Sequence, residues 1–341
     1  MLIVTSRDLG RAKAFVAKVT AARPNSPIAA AALDQESPTF AADLQYLNPD
    51  IVIHTVGPYQ GQDYRVAETC IGLGSHYIDL ADGRDFVAGI SALNEAAVER
   101  GVLVVSGAST LPGLSTAVVD LLRKEFSSIG TVEITIAPAH QTPRGKSTIA
   151  AVLSYCGRPF KVLVNGRWQT WYGWQHLQRS WYPDLGRRLG GACDVPDLEL
   201  MPRYLQNVET VTFHAALEAK WEQLALWLMG WVTRVGIVKN WSPFVSTFQR
   251  LSDRLIKFGS DVGGMHVKLV GTTVEERPAT VTWYLTARQP PGPDIPCGPA
   301  LRLARTLISG QLSVRGAVPC QGLFDLADFD NEVSDLDIGW T

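Results

Sequence analysis

The sequence predicts an α/β protein: a doubly wound parallel sheet, incomplete at its N-terminal side, followed by a second α+β domain with a mainly antiparallel sheet. Three observations carry this reading. Short apolar runs alternate with helical patterns as far as Ser106. Ile51 to Asp82 reads as strand, turn, helix and strand, the crossover unit of a parallel sheet. From Val132 onward, strand patterns follow one another without regular helical crossovers, as antiparallel pairing allows.

Leu2 to Thr5 is the first strand. Ala12, Phe15, Val16 and Val19 then share a helical face, with Asp8 as the N-cap. Ile28 to Leu33 is a weak, alanine-rich strand. Ser37-Pro38 reads as an N-cap with proline at the first helical position, and Phe40, Leu44 and Leu47 form that helix's apolar face. Ile51 to Val56 is the clearest strand. Val66, Ala67, Cys70 and Ile71 line the helix after it, which Gly72 and Gly74 end. Tyr77 to Leu80 is a strand, Phe86, Ile90, Leu93 and Ala97 mark one helix over 85–98, and Val102 to Val105 closes the series.

Leu114 to Leu122 is a helical stripe leading onward, and Val132 to Ile136 alternates like a half-buried strand. Asn165-Gly166 between β-like runs is a strong hairpin signal. Val208 to Phe213 is a strand, helices follow over about 220–238 and 243–258, and Met265 to Thr273 pairs with Thr280 to Ala287. After Pro290-Pro291-Gly292-Pro293, residues 299–309 read as a helix. The expected organisation is a first domain over 1–112, with about 290–341 packing back on it, and a substrate or dimerisation domain over 113–289.

At 341 residues and 46% hydrophobic content, the chain can fill two cores. A net charge of −2 leaves no basic footprint for nucleic acid. Five scattered cysteines without a Cys-x-x-Cys pair fit a reduced, cytoplasmic protein, and Arg7 and Asp8 cut the apolar opening too early for a signal peptide. Leu224 to Thr233 is uncharged but far short of the about 20 residues a spanning helix needs. It reads as a buried or dimer-interface helix, or as one lying on a membrane, with Trp221, Trp227, Trp231 and Trp241 as anchors across 221–241. A homodimer is the expected assembly. The aromatics from Trp168 to Tyr182 form a ligand wall or cover a sheet face.

Several motifs are missing. No histidine pair has metal-ligand spacing, so no metal is expected, and Gly-x-Ser-x-Gly does not occur. Gly145-Lys146-Ser147 mimics the end of a phosphate-binding loop, but His140 stands where its first glycine belongs. The Gly-x-Gly-x-x-Gly turn of dinucleotide-binding sheets is also absent. The chain reads as beginning one strand and one helix late: either its start is assigned wrongly or the phosphate-binding element is lost.

Val56-Gly57-Pro58-Tyr59, His76-Tyr77-Ile78-Asp79-Leu80, Ser106-Gly107-Ala108-Ser109, Leu111-Pro112-Gly113-Leu114-Ser115 and Gly259-Ser260-Asp261-Val262-Gly263-Gly264 resemble segments of saccharopine-dehydrogenase-like oxidoreductases. The resemblance implies a Rossmann-like NAD(P)-binding domain, with NADP favoured over NAD, and nicotinamide bound between it and an α+β domain that holds a small-molecule substrate. Saccharopine itself is disfavoured: the family's Asp-Pro-Gly reads Leu111-Pro112-Gly113 here. The resemblance assigns cofactor binding to Ser6 and Arg7 at the adenosine 2′-phosphate, to Val56, Gly57 and Pro58, and to Ser106, Gly107 and Ala108. Arg7 reads equally as an exposed strand-end arginine, and Gly57-Pro58 as a simple strand stop. Tyr59 is the candidate hydroxyl facing substrate or nicotinamide, and Asp79 and Asp82 are candidates to orient an amine or act as a base, with helix capping as their alternative role. His54 reads as a hydrogen-bonded interior residue. The alternative function is a degenerate, non-catalytic dinucleotide-fold protein that acts by dimerisation or at a membrane surface.

Overall fold

The computed structural model describes residues 1–288, 294–333 and 338–340. Its first part runs β1 (Leu2–Ser6), α1 (Leu9–Ala22), β2 (Ile28–Ala32), α2 (Phe40–Leu47), β3 (Ile51–His54), α3 (Arg65–Leu73), β4 (His76–Asp79), α4 (Arg84–Gly89), α5 (Asn94–Glu99), β5 (Leu103–Ser106) and α6 (Ser115–Leu122). The second part runs β6 (Phe126–Ala137), α7 (Lys146–Ser154), β7 (Pro159–Val164), β8 (Arg167–Tyr172), β9 (Gln178–Tyr182), β10 (Gly186–Ala192), α8 (Asp197–Tyr204), β11 (Thr210–Leu217), α9 (Lys220–Arg234), α10 (Val245–Leu255), β12 (Val262–Thr273) and β13 (Pro278–Arg288). Then come α11 (Gly298–Ile308), β14 (Gly316–Pro319), α12 (Leu326–Val333) and β15 (Ile338–Trp340).

The parallel strands fall into two groups. β1 pairs only with β2, while the order β14-β5-β4-β3 forms a separate four-stranded parallel sheet. The doubly wound α/β part is thus built as two parallel pieces: β1 and β3 share no ladder, and the Gln35 side chain, just past β2, reaches His54 instead. Alternation along β4 and β5 sends Tyr77 and Val104 to one face, against α2, α3 and α5, and Ile78, Leu103 and Val105 to the other, against Ala300, Leu303 and Ala304 of α11. A parallel sheet buried on both faces explains the near-continuous apolar runs of its strands.

The second sheet has nine strands along β15-β13-β12-β6-β11-β10-β9, with β7 and β8 attached through β11. β6 and β11 run parallel and the other pairs antiparallel. Its apolar face carries Val132, Ile134, Val267 and Leu285, packed under α6, α8 and α12. Asn165 and Gly166 form the two-residue hairpin between β7 and β8, and both take positive φ (51° and 71°), the twist a tight hairpin requires.

Local differences have local causes. Asp8 caps α1 through Gly10 and Arg11 N–H as expected. Ser37 and Pro38 sit in the turn before α2, where Thr39 is the N-cap, and Ser37 Oγ accepts from Thr39 N–H. The helix expected over 85–98 is α4 and α5 joined by a 3₁₀ turn over Ile90–Leu93. Gly83, not Asp82, is the N-cap of α4. Of the tail, α11 and β14 join the first sheet, whereas α12 and β15 join the second. Pro290 to Pro293 lie outside the described residues. Among the described residues no helix is long and apolar enough to cross a membrane.

Candidate functional site

β1 and β3 both end in exposed loops, the strand ends at which open α/β sheets take ligands. At the end of β1, Ser6 is half-buried, and Arg7 after it is exposed, its guanidinium with no hydrogen bond or ion pair among the described residues. After β3, Val56 and Pro58 are exposed. The loop is nonetheless held tightly. Gln62 Nε2 donates to the carbonyls of Val56 and Pro58, each at 2.8 Å, and Ser147 Oγ, in the first turn of α7, donates to the Gly57 carbonyl at 3.1 Å. Three successive carbonyls therefore have donors, one from the other domain. The Gly57-Pro58 bond is cis. A Cβ on Gly57 would meet nothing closer than the Tyr59 ring at 3.6 Å, so packing does not demand glycine there. Bare backbone at an exposed strand end suits close approach by a ligand.

Two hollows flank this loop. One, of about 190 Å³, is lined by Gln35 and Glu36 past β2 and by Gln62, Asp63 and Arg65 past β3. The other, of about 450 Å³, lies between the domains, where Gln60 and Asp85 face Tyr155, Arg158 and Asp194. The second carries charges of both signs, as a polar or zwitterionic ligand requires.

The structure separates the predicted residues. Tyr59 does not face either hollow: its ring is buried and its hydroxyl donates to the His54 carbonyl at 2.7 Å. Burial, then the nearby Asp79 charge, raises that hydroxyl far above its ordinary pKa. Asp79 is fully buried, and its Oδ1 accepts from Ala81 N–H (2.9 Å), Ser106 Oγ (3.0 Å) and Gly107 N–H (2.8 Å). Burial raises its carboxyl to about 6 against the opposing pull of those donors. Ser106, Gly107 and Ala108 are themselves buried and hold Asp79 by these bonds and through Ala108 N–H to its carbonyl, instead of lining an open site. Asp82 is exposed and accepts from Gln60 at 3.2 Å, and desolvation by the protein around it raises its carboxyl above the usual range. His54 is interior, bonded at 2.9 Å to both Tyr77 Oη and Gln35 Oε1, and burial lowers it to about 4.

Gly107 has a strict requirement. Its φ is +78°, and a Cβ would stand 2.5 Å from Pro112 Cδ and 3.0 Å from Val87 Cγ1. Gly107→Ala is expected to lose roughly 2–5 kcal/mol of stability. Urea unfolding checks this, and an unchanged midpoint would contradict the packing argument.

No cluster of three or more metal-ligating side chains occurs among the described residues. All five cysteines are free, and burial holds Cys70, Cys156 and Cys193 near 12, so none is a thiolate at neutral pH. The aromatics do not form one wall: Trp174 and Tyr182 are core residues, Trp171 stacks on His176 at 4.2 Å, and Trp168 and Trp181 are exposed. Gln60, Gln62, Ser147 and Arg158, which line or brace this candidate site, are residues that sequence reasoning missed. Each acquires its role only from tertiary placement, although Ser147 ends the rejected phosphate-loop mimic.

With this geometry in place, comparison with known proteins is informative about fold. No protein-family model matches the chain, and no curated protein matches it. Among solved structures, the apo saccharopine dehydrogenase (L-Glu forming) of Saccharomyces cerevisiae aligns over 99% of this chain and 94% of its own, with a TM-score of 0.65 and 12% identity. The chain has the saccharopine-dehydrogenase-like fold. An engineered D-amino acid dehydrogenase bound to NADP+ aligns over 96% of this chain and 95% of its own, at TM-score 0.46 and 15% identity. The amine dehydrogenase of Mycobacterium smegmatis aligns over 94% of this chain and 87% of its own, at 0.47 and 10%. The saccharopine-dehydrogenase-like fold thus places an α/β sheet beside a larger mixed sheet, with the interdomain hollow at the carboxyl ends of the parallel strands.

Proposed function

We propose that the chain is an NAD(P)-dependent oxidoreductase, with NADP favoured, that acts on a small polar substrate other than saccharopine. The observation that carries this is that two strand ends, Ser6-Arg7 and Val56-Gly57-Pro58, reach solvent, and that the loop after the second runs on to Gln60 at a charged interdomain hollow. The residues fit the two ends of a dinucleotide. Arg7 is an unengaged guanidinium suited to a 2′-phosphate, and Gly57 is a glycine that the fold itself does not require. None of the described loops supplies the glycine-rich turn for a pyrophosphate.

The bound nicotinamide supplies hydride transfer. Gln62 and Ser147 keep the Val56–Pro58 loop in one conformation. Arg158 and the carboxylates Asp85 and Asp194 orient a substrate bearing both charges. Asp82, with its raised carboxyl beside Gln60, is the group placed to hold or release a proton. Asp79 keeps the β4–β5 strand ends together.

A fluorescence titration with NADPH, with NADH as control, tests the reading. Saturable binding that favours NADPH is expected. Arg7→Ala should weaken NADPH by about tenfold or more and leave NADH nearly unchanged, since only the former carries the phosphate. Absence of binding up to millimolar cofactor would overturn the enzyme reading in favour of a dinucleotide fold that acts by association.

A further inference from the structure

A large apolar face lies on the second domain, far along the chain from the strand-end loops. On α9 and its C-cap, Trp221, Leu224, Leu228, Trp231 and Val235 follow one another at spacings of three and four, and all are exposed. Leu228, at 58% exposure, is among the most open. The opposite side of the helix buries Gln223 and Gly230. Off the helix, Ile237, Phe244 and Phe258, the last 83% exposed, are further exposed apolar side chains of this segment. Between α9, α10 and α7 lies a cavity of about 150 Å³, lined mainly by Ile149, Val152, Leu226, Met229, Phe248 and Leu255, with the exposed Trp221 and Leu251 at its edge. Such a recess suits hydrocarbon better than water.

The charges around this face are one-sided. Residues 220–258 contain six cations (Lys220, Arg234, Lys239, Arg250, Arg254 and Lys257) and only two carboxylates. One of those, Glu222, is mostly buried and lies 3.7 Å from His140. The whole chain is at −2, so the rest of it is acidic and the positive charge is concentrated here. Tryptophan at the edge of an apolar face, with lysine and arginine around it, is the composition of a membrane-interface surface.

We infer that the face formed by α9, the connection after it and α10 docks on an anionic lipid bilayer. A second copy of the chain is the less suitable occupant. Two-fold packing would bring the same cationic rim against itself, where like charges repel. A partner helix seated along the α9 stripe would also leave Ile237 and Phe258 uncovered. An anionic bilayer attracts each nearby cation and covers all of these side chains together.

Flotation of the full chain with phosphatidylcholine vesicles, with and without phosphatidylglycerol, tests the inference. The chain should float with the anionic vesicles, stay behind with phosphatidylcholine alone, and be released by high salt. Leu228→Glu, at an exposed position, should abolish flotation while leaving circular dichroism and thermal unfolding unchanged. Arg254→Glu with Lys257→Glu should lower partitioning by about tenfold or more. No flotation with anionic vesicles overturns the inference. So does a wild-type dimer that does not float and that Leu228→Glu turns into monomer, since the face would then join two copies.

Discussion

Arg84→Ala is expected to cost about 3–5 kcal/mol of stability, more than a surface ion pair could contribute. Arg84 is 8% exposed and belongs to α4, yet every charged partner it has comes from the second domain. Its guanidinium donates to Glu199 Oε2 at 2.8 and 3.2 Å, to Asp194 Oδ1 at 3.1 Å and to the Lys161 carbonyl at 2.7 Å. Truncation leaves two partly buried carboxylates and a carbonyl without their shared donor. Burial already pushes the Asp194 carboxyl up, and Arg84 opposes that shift. Arg84→Lys should recover only part of the loss, because an ammonium cannot reproduce the planar fork. Guanidinium unfolding of the three proteins decides the matter. A loss below about 1 kcal/mol would mean that water replaces the guanidinium without cost.

The second large effect depends on pH. Asp197, in the first turn of α8, is fully buried and accepts a hydrogen bond from Ser115 Oγ. Burial raises its carboxyl to about 7 from an ordinary 3.8. The folded protein therefore binds this proton more tightly than the unfolded chain does. The stability it contributes is complete below the unfolded pKa and is lost as pH rises toward 7. Asn at this position stays neutral throughout. Relative to wild type, Asp197→Asn should gain on the order of 4 kcal/mol between pH 4 and pH 8, whatever its absolute cost. His54, His214 and His266, lowered by burial to about 4, change stability in the opposite sense, but they are present in both proteins and cancel. Urea midpoints of both proteins across that range provide the test, and a constant difference would show that the carboxyl does not titrate there.

How much was legible beforehand follows from what each residue pairs with. β3, β4 and β5 are readable because the sheet is covered on both faces and an unbroken apolar run fills the middle of each strand. Their ends, and with them the Arg7 and Gly57 loops, follow from where those runs stop. The Asn165-Gly166 hairpin is readable because its signal is local. The strands β9 and β10 were not. Gly190 and Gly191 break any alternation in β10, and a Cβ on Gly191 would meet the Trp174 carbonyl oxygen at 2.9 Å, so the glycine is set by a distant neighbour. Asp79 looked like a site carboxylate because it ends a strand. Its partners, Ser106 and Gly107, lie 27 and 28 residues further on, and only the β4–β5 register brings them together. Tyr59 was misplaced for the same reason, since its acceptor is a backbone carbonyl that no side-chain pattern reveals.

The parallel sheet is closed by residues that leave the ribosome late. β14 pairs with β5 only once Gly316–Pro319 exist, and α11 covers Ile78, Leu103 and Val105 only after the whole second sheet as far as β13 has been synthesised. During vectorial synthesis the nascent first domain must wait with one strand edge unpaired and one hydrophobic side uncovered, a state open to chaperones and to mispairing alike.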